Sequence, residues 1–366
     1  MKLLAQSLAE MNHDIHLLVF NEGEDVSLPG VTLHRHMKIP LVTGIKPGFS
    51  LKKLICDFFL FLKMLQIIRQ YDFALIHAVE ESVFMAFIVN KIYKIPYVYD
   101  MDSCLSAQLT EKYSLLSFFR RPMEWMEKTV ITQSSGVLPV CKSLENVAKR
   151  YDQEKLVVCL EDISLLETGE SGDENLRKVL DISGITLMYV GNLEKYQGID
   201  LLIDAFAIVL RKRHNMHLIL IGGNDLDIDR YNEKTKHLGI AGNVSFCGGR
   251  PVNQLGYYLN QADILVSPRI KGSNTPMKIY SYLDSGVAVV ATRLETHTQV
   301  MDDSISCLVD CTPESMAEGM LFLAGNLEER MQIAMRAKKC VQENYSLPAF
   351  KQKLSYFYEQ LQSSIH

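Results

Sequence analysis

The feature that most constrains the fold is the regular alternation of short apolar runs with amphipathic helical patterns along both halves of the chain. Ten runs are predicted as strands, over residues 15–20, 74–77, 97–100, 136–140, 155–159, 186–191, 217–221, 243–247, 264–267 and 288–291. Strands that alternate with helices in this way are typical of parallel, doubly wound sheets covered by helices on both faces. The predicted fold class is therefore α/β, built from Rossmann-like domains.

The length of the chain predicts two such domains. A chain of 366 residues with 48% apolar residues is too long for one ordinary core. The chain becomes acidic and irregular between residues 161 and 174, which is where a linker is expected. The predicted limits are an N-terminal domain over 1–165, a linker over 166–183, a second domain over 184–345 and a C-terminal helix over 346–366. Because open α/β sheets bind ligands at the carboxyl ends of their strands, chemistry is expected in a cleft between the two domains.

Charge and cysteine usage exclude several classes of function. A net charge of -5 argues against binding to nucleic acid, which needs a clustered positive surface. The eight cysteines are scattered without paired CxxC spacing, so reduced core thiols are expected. No His or second Cys pair completes a set of zinc ligands, and no metal site is predicted.

The longest apolar run covers residues 54–68 and is interrupted by Asp57 and Lys63. It is shorter than the roughly eighteen apolar residues that a membrane-spanning helix needs. Two interpretations stay open, a buried domain helix or a helix that lies in a membrane interface. The first 20 residues contain charged side chains that interrupt any secretion signal. We expect a cytoplasmic protein. The alternative is a protein that also makes peripheral contact with the inner face of the membrane.

The segment between the predicted strands 264–267 and 288–291 has the pattern of an anion-binding loop and helix. Thr275 is predicted as the helix N-cap and Pro276 as the first helical residue. The free amides that follow, together with Arg269, Lys271 and Lys278, would suit a phosphate or diphosphate. The alternative is a simple helix start flanked by solvated charges. A small nucleotide or nucleotide-sugar is the expected ligand.

Four strings in the second half resemble a known family in order and spacing. They are YVGNLEKYQGIDLLIDAF at 189–206, LIGG at 220–223, VSFCG at 244–248 and ADILVSP at 262–268. The first half carries weaker similarities, LIHAVE at 75–80 and PYVYD at 96–100. The ordered set resembles the family-4 glycosyltransferases, strongly over 186–345 and more weakly over 15–140.

That resemblance implies a GT-B architecture with an N-terminal acceptor domain and a C-terminal nucleotide-sugar domain. It also implies a hexosyltransferase type of reaction, transfer with retention of anomeric configuration, and a nucleotide-sugar as co-substrate without any other cofactor. No metal is needed in that arrangement, because helix amides and basic side chains can neutralise the leaving diphosphate.

The sequence departs from the family pattern at the expected donor site. Ser273 and Ser281 occupy the places of two glutamates that lie eight positions apart in many members. A serine cannot offer the two-oxygen acceptor that holds a pair of ribose hydroxyls. The Arg and Lys that commonly bind the diphosphate correspond to Asn192 and Gln197, and Lys195 is the nearest substitute.

The resemblance and the anion-site pattern together predict the donor-binding residues. His297 follows the predicted helix at the expected distance and would contact the donor, although an ordinary surface or capping histidine is the alternative. The predicted set is Gly191, Asn192, Lys195, Arg250, Arg269, Ser273, Asn274, Thr275, Pro276, Met277, Lys278, Ser281 and His297.

In the acceptor domain, His77 and Asp102 are the catalytic candidates, and Glu80 and Asp100 are the acceptor-binding candidates. Family members often carry histidines at the positions of Val79 and Asp102. Paired acids near a cleft would shift one carboxyl pKa upward and suit a general base. The alternative for Asp102 is that it caps a helix.

Acceptor domains of this architecture normally open with a central strand and a glycine-rich turn, whereas this sequence starts at the helix that follows. A parallel sheet without a middle strand leaves unpaired backbone groups. A truncated or mis-started N-terminus is therefore expected.

The leading hypothesis is an enzyme of polysaccharide or cell-envelope assembly that moves a sugar from a nucleotide donor to a polyprenyl-linked or polysaccharide acceptor. The second is a nucleotide-sugar-binding protein that has lost turnover. A sugar-nucleotide epimerase of the same architecture lacks a matching acid–base constellation. A dinucleotide dehydrogenase is disfavoured because no G-x-G-x-x-G turn follows an early strand.

Overall fold

A computed structural model describes residues 1–23, 27–39, 51–104, 120–166, 172 and 174–365. The chain divides into two compact units. The first unit contains residues 1–160 together with 351–366, and the second contains residues 161–350. No described helix is long and apolar enough to cross a membrane.

The first unit is an α/β unit whose helices and strands alternate. Its elements are α1 (Lys2–Glu10), β1 (Ile15–Val19), β2 (Val31–Arg35), α2 (Leu51–Ile68), β3 (Ile76–Val79), α3 (Ser82–Tyr93), β4 (Tyr97–Met101), α4 (Arg120–Gln133), β5 (Gly136–Pro139) and α5 (Lys142–Tyr151). The described strands form two separate parallel sheets, β1–β2 and β3–β4–β5. The core lies between the three-stranded sheet and its helices, where Tyr97, Tyr99 and Ile131 are fully buried.

The second unit contains the larger sheet. Its elements are α6 (Leu176–Val179), β6 (Ile185–Val190), α7 (Ile199–Lys212), β7 (Met216–Ile221), α8 (Asp225–His237), β8 (Val244–Phe246), α9 (Leu255–Leu259), β9 (Ile264–Ser267), α10 (Lys278–Asp284), β10 (Ala288–Thr292), α11 (Glu295–Thr298), β11 (Cys307–Val309), α12 (Pro313–Gly325) and α13 (Leu327–Asn344). Short 3₁₀ turns lie at Lys195–Gln197, Ala241–Asn243 and Val252–Gln254.

The six strands of this sheet are all parallel, in the order β11–β10–β9–β6–β7–β8. Successive residues of β6 enter opposite cores, because Leu187 and Tyr189 pack on one face and Met188 on the other. A sheet that is covered on both faces explains why its strands are continuous apolar runs rather than alternating ones. The strand order reverses between β6 and β9, which places the topological switch point at their carboxyl ends.

The last helix, α14 (Leu347–Ile365), begins in the second unit and continues into the first. Leu354, Phe357 and Leu361 are buried along one side of it. Lys351 forms an ion pair with Glu10 of α1, and Tyr358 lies 5.7 Å from His13, measured between ring centroids. These apolar side chains belong to the core of the first unit.

The predicted strands agree with the observed ones to within two residues at each end, with one exception. Residues 155–159 form a single bridge between Val157 and Val137 instead of a strand. The segment predicted as a linker, 166–183, contains α6, whose Leu176 is 1% exposed and packs in the second core of the second unit. Arg177 of this helix donates to Asp263 at 2.9 Å, which ties it to the domain.

Candidate functional site

Glycines bring the ends of β6 and β7 into close contact at the switch point. Gly191 follows β6 with φ 149°, and its N–H donates to the carbonyl of Ile221 at 2.9 Å. Gly222 has φ 109°, and a Cβ atom on it would lie 2.2 Å from the Gly191 carbonyl oxygen. Only glycine tolerates this backbone conformation and approach without strain. The result is a narrow backbone ledge beside the carboxyl end of β6.

Lys278, the first residue of α10, lies next to this ledge in an aromatic environment. Its Nζ lies 3.9 Å from the ring centroid of Tyr189 and 6.0 Å from that of Tyr282. The same nitrogen donates to Oε1 of Gln197 at 3.3 Å. Burial, followed by the charge of Arg269, lowers the pKa of Lys278 well below its ordinary value.

Arg269 follows β9 and is the second cation at this site. Its guanidinium lies 5.2 Å from the ring centroid of Tyr196 and donates through Nε to the carbonyl of Lys271 at 2.7 Å. Burial lowers the pKa of Arg269 from its usual value. Among the described residues, no carboxylate pairs with either Arg269 or Lys278. Two largely buried like charges without counter-ions are unfavourable unless an anion binds between them.

The predicted helix start in this loop is wrong. The helix begins at Lys278 rather than after Thr275, and Met277 occupies the N-cap position without a side-chain cap bond. The Thr275 hydroxyl is buried and has no hydrogen-bond partner among the described residues. The Pro276 carbonyl accepts from Ile279 N at 2.9 Å, so Pro276 precedes the helix. A buried hydroxyl without a partner is costly, which is consistent with a polar ligand at this loop.

His297 is fully buried, so it is neither the surface histidine nor the capping histidine of the alternative. Its Nδ1 lies 2.7 Å from the carbonyl oxygen of Thr292, so Nδ1 carries the hydrogen. Its Nε2 then accepts from the Ser267 hydroxyl at 2.9 Å. Burial, opposed by the Thr292 bond and assisted by the charges of Lys278 and Arg269, lowers its pKa to about 4. Because both ring nitrogens bond to protein, His297 orients the ends of β9 and β10.

Ser281 does not face a ligand. Its side chain is 0% exposed, and its Oγ accepts from the backbone N–H of Leu165 at 3.0 Å. The predicted contact between Ser281 and a ribose is therefore corrected, because this hydroxyl fastens the segment that opens the second unit.

Arg250 is likewise not a free cation for the donor. Its Nε and a terminal nitrogen donate to the two carboxylate oxygens of Glu174 at 2.8 and 3.2 Å. Its other terminal nitrogen donates to the carbonyls of Cys247 and Gly249. Through these bonds Arg250 connects the loop after β8 to Glu174, which lies two residues before α6.

The remaining predicted donor residues lie in loops around the two cations. Tyr189 donates to the Asn192 carbonyl at 2.6 Å. The Ser273 hydroxyl donates to Asn274 Oδ1 at 3.3 Å, and Gln299 donates to the Ser273 carbonyl at 2.8 Å. Met277 is 48% exposed. Lys195 is exposed and lines an open depression of about 360 Å³ together with Glu194, Tyr196, Ile270 and Lys271.

In the first unit, the structure brings together two predicted residues, His77 and Asp100. The Nε2 of His77 lies 3.1 Å from Oδ2 of Asp100, because β3 and β4 pair in parallel. The Nδ1 of His77 lies 2.7 Å from the Tyr358 hydroxyl. The arrangement is a line of three polar side chains, Tyr358, His77 and Asp100, in which each ring nitrogen has a partner.

Glu80 follows β3 and Asp102 follows β4, and the backbone N–H of Glu80 donates to the carbonyl of Asp100 at 3.1 Å. Glu80 has φ 49°, a left-handed conformation that is strained for a residue with a side chain. Burial, followed by the charge of Glu81, raises its pKa. Lys53 lies 3.9 Å from its carboxylate. Asp102 is exposed, and the helix that it was expected to cap lies outside the described residues.

Sequence reasoning missed the tyrosines that form these sites. Tyr189 and Tyr282 surround Lys278, and Tyr196 lies against Arg269. Tyr189 lies two residues before Gly191, and Tyr282 lies in the helix that follows the anion-binding loop. These two positions could have been recognised from the sequence. Tyr358 could not, because it lies 281 residues from His77 in the sequence.

Among the described residues, no group of three or more His, Cys, Asp or Glu side chains has the geometry of a metal site. The cations and the glycine ledge at the switch point favour an anionic ligand.

Two family models match this chain, one on each unit. The model described as "Glycosyltransferase Family 4" matches residues 1–159, and the model described as "Glycosyl transferases group 1" matches residues 184–326. The chain belongs to the family-4 glycosyltransferases. This family-4 chain has the GT-B fold.

Individual proteins agree with that assignment. An uncharacterized glycosyltransferase of Methanocaldococcus jannaschii, MJ1069, is 21% identical over 60% of this chain and 57% of its own length. The family-4 chain spans between 24% and 57% of the length of the curated relatives it matches. Sucrose-phosphate synthase from Thermosynechococcus elongatus is 16% identical with a TM-score of 0.78, covering 99% of this chain and 92% of that one. Anabaena HepE in complex with UDP-glucose is 18% identical with a TM-score of 0.68, covering 91% and 86%.

Proposed function

We propose that this chain transfers a hexose from a nucleotide-sugar to a lipid-linked or polysaccharide acceptor, with retention of configuration. The observation that carries the proposal is the pair of buried cations, Arg269 and Lys278, at the switch point of the six-stranded sheet. Neither has a carboxylate partner among the described residues. Burial lowers the pKa of both, and the charge of Arg269 lowers the pKa of Lys278 further. The structure of Anabaena HepE with UDP-glucose supports a nucleotide-sugar as the occupant.

In this reaction the bond between the anomeric carbon and the diphosphate breaks, and a bond to the acceptor oxygen forms as that hydroxyl loses its proton. Negative charge accumulates on the departing diphosphate. Arg269 and Lys278 would stabilise that charge in a site largely shielded from water, where electrostatic interactions are strong. Thr275 would find a hydrogen-bond partner for its buried hydroxyl in the same ligand. The donor needs no other cofactor in this scheme.

Residues near the cations have supporting roles. His297 would position the donor loop through Ser267 and Thr292 rather than by direct contact. In the first unit, His77 and Asp100 are the candidates for acceptor hydroxyl binding and proton transfer, with Glu80 and Asp102 nearby. A lipid-linked acceptor would place the reaction at the cytoplasmic face of a membrane, with the protein in peripheral contact.

A second candidate function is a nucleotide-sugar-binding protein without turnover. The observation that favours it is Ser281, whose hydroxyl is occupied by the Leu165 amide. A site that lacks a ribose-binding carboxylate would bind the donor through its diphosphate alone. Binding and transfer must therefore be measured separately.

Binding is tested with a thermal-shift panel of nucleotide-sugars, because a ligand of the native state raises its apparent stability. We expect Lys278→Met to abolish the shift. Methionine retains the packing against the tyrosine rings and removes a like charge beside Arg269, so the unliganded variant should melt no earlier than the wild type. Lys212→Met, an exposed lysine at the end of α7, is the matched control and should keep the shift. A shift that survives Lys278→Met would place the diphosphate elsewhere.

Transfer is tested by incubating the protein with the best donor and with polyprenyl-phosphate-linked or oligosaccharide acceptors. Mass spectrometry detects the product, and NMR of the new anomeric proton reports retention or inversion. Tight donor binding without product from any acceptor would favour the binding-protein function. An inverted product would contradict the retaining mechanism while leaving the donor site intact.

A further inference from the structure

Three neighbouring helices of the first unit expose large apolar side chains. Helix α3 packs against both α2 and α4, so the three helices are adjacent. Phe58 is 59% exposed, Ile92 is 63% exposed and Trp125 is 67% exposed. We call this surface the apolar face, and its members are Leu54, Ile55, Phe58 and Leu62 of α2, Ile88, Ile92 and Tyr93 of α3, and Trp125 and Met126 of α4.

Helix α2 shows most clearly that this exposure is unusual. Leu54, Phe58 and Leu62 are four residues apart, so they lie along one side of the helix. Cys56 and Ile67 are buried on a different side, where the helix packs in its unit. A surface helix of a globular domain normally presents polar residues to water. Helix α2 is apolar on the side that packs in its unit and on the side that faces solvent. The solvent-facing side therefore favours contact with another apolar surface.

The exposed charges that the structure describes on these three helices are of one sign. Of the described side chains on these three helices, those that are both charged and exposed are Lys52, Lys91, Arg121 and Lys128. The acids of the same helices are less accessible, because Asp57 and Glu124 are half-buried and Glu127 is buried. Apolar side chains with cations around them match the chemistry of an anionic bilayer. The bilayer interior accommodates the apolar side chains, and the anionic headgroups attract the cations.

Trp125 adds the amphipathic ring that is characteristic of a membrane–water interface. Arg121 precedes it by four residues and Lys128 follows it by three, so both cations lie on the same side of α4 as the indole. Since no described helix is long enough to cross a bilayer, this face suits a helix layer that lies on the membrane.

We infer that the apolar face of α2, α3 and α4 docks the protein on an anionic lipid bilayer. The inference stands apart from the proposed transferase function, because it depends on residues of the first unit outside the candidate sites. It assigns the membrane contact to one surface and names the lipids that this surface selects.

A second apolar stripe provides an internal control. Helix α13 exposes Leu327, Met331 and Met335 at four-residue spacing, and each is more than half exposed. Its exposed charges are mixed, with Glu328 and Arg336 on the same helix. If exposed apolar area alone caused membrane binding, this stripe would bind as well.

Binding is measured on the full chain without any sugar donor, so its outcome is independent of transferase activity. Trp125 is the only tryptophan of the chain, and its emission therefore reports this surface directly. We expect a blue shift and co-sedimentation with vesicles that contain equal parts of phosphatidylcholine and phosphatidylglycerol. Vesicles of phosphatidylcholine alone should bind more weakly, and added salt should weaken binding to the mixed vesicles.

The variants separate the two contributions. Phe58→Ser with Leu62→Ser should lower vesicle affinity at least about tenfold, because two large side chains leave the bilayer. Arg121→Gln with Lys128→Gln should lower affinity about fivefold for each cation removed. Met331→Ser with Met335→Ser should leave affinity unchanged. Thermal melting of each variant checks that the fold is retained, and all six side chains are exposed enough for the substitutions to be tolerated.

Three outcomes would overturn the inference. The first is wild-type protein that ignores anionic vesicles. The second is an unchanged affinity of the Phe58→Ser, Leu62→Ser variant. The third is a wild-type dimer in sedimentation that this variant converts to a monomer without any lipid binding, which would assign the face to a second copy of the chain.

Discussion

The two units differ in whether selected polar and charged side chains are paired with other protein side chains. In the first unit, Tyr358, His77 and Asp100 form a line of largely buried polar side chains that pair with one another. In the second unit, Arg269 and Lys278 are buried side by side with aromatic rings and single neutral acceptors as their neighbours. A self-satisfied cluster stabilises the fold without a ligand, whereas two neighbouring cations that share no described counter-ion favour the binding of an anion.

The same contrast appears within the second unit. Arg250 and Arg269 were both predicted to bind the donor, and both follow strands of the same sheet. Arg250 forms a two-pronged pair with Glu174, while Arg269 has no carboxylate partner among the described residues. The comparison indicates that the partner of an arginine, rather than its position after a strand, separates a structural role from a binding role.

The largest expected effect is a loss of donor affinity in Arg269→Met, which is compared with Arg250→Met. Arg269→Met should weaken donor binding by about 4 kcal/mol, or roughly a thousandfold, because a desolvated charge contact to the diphosphate is lost. Arg250→Met should leave donor affinity unchanged and lower the free energy of unfolding by about 1–2 kcal/mol, since Glu174 loses its partner. Isothermal titration and urea unfolding measure the two quantities. Equal losses of donor affinity in both variants would break the comparison.

The second prediction concerns acid stability and His297. The pKa of His297 is lowered from 6.5 to about 4 in the folded protein. The unfolded chain therefore takes up a proton over this interval that the folded chain does not, and stability falls as the pH falls from 6.5 to about 4. The loss attributable to His297 is about 3 kcal/mol.

The measurement is urea unfolding at several pH values in this window, for the wild type and for His297→Gln. The variant carries no titrating ring, so its free energy of unfolding should change less with pH even if its absolute value is lower. Parallel pH profiles for the two proteins would show that His297 is accessible to protons in the fold.

The smallest effect is expected in the first unit. Tyr358→Phe removes the hydroxyl that bonds to Nδ1 of His77, which should cost about 1 kcal/mol of unfolding free energy. Tyr356→Phe is the matched control, because Tyr356 lies on the same helix and is 53% exposed. Chemical denaturation should separate the two variants. A Tyr358→Phe protein as stable as the control would mean that water replaces the hydroxyl.

Much of the fold was predictable because parallel strands covered on both faces are short apolar runs. Strands such as β9 and β10 therefore stood out directly. The strand β2 was missed because Thr32, His34 and Arg35 interrupt its apolar pattern. The strand β11 was missed because only three apolar residues lie between Ser306 and Asp310. Residues 155–159 have a strand-like composition, but they make one bridge at the edge of the sheet.

The site was predictable where its signal is local. Arg269 and Lys278 are cations that flank one loop, and the sequence places them beside the end of a strand. Two of the predicted donor residues are held by partners that are distant in sequence. Ser281 bonds to Leu165 across 116 residues, and Arg250 pairs with Glu174 across 76. Position in a family pattern does not reveal such pairs, since they depend on how segments far apart in sequence come together.

The path of helix α14 has a consequence for the order in which the protein is made. Phe357 lies against Gly136, where a Cβ atom would come within 2.7 Å of its ring, and Tyr358 completes the line to His77. The ribosome therefore synthesises residues 1–160 of the first unit early, and it adds Phe357 197 residues after Leu160. The second unit is contiguous in sequence and can fold during that interval. We expect the part of the protein that emerges first to be the last to reach its native state.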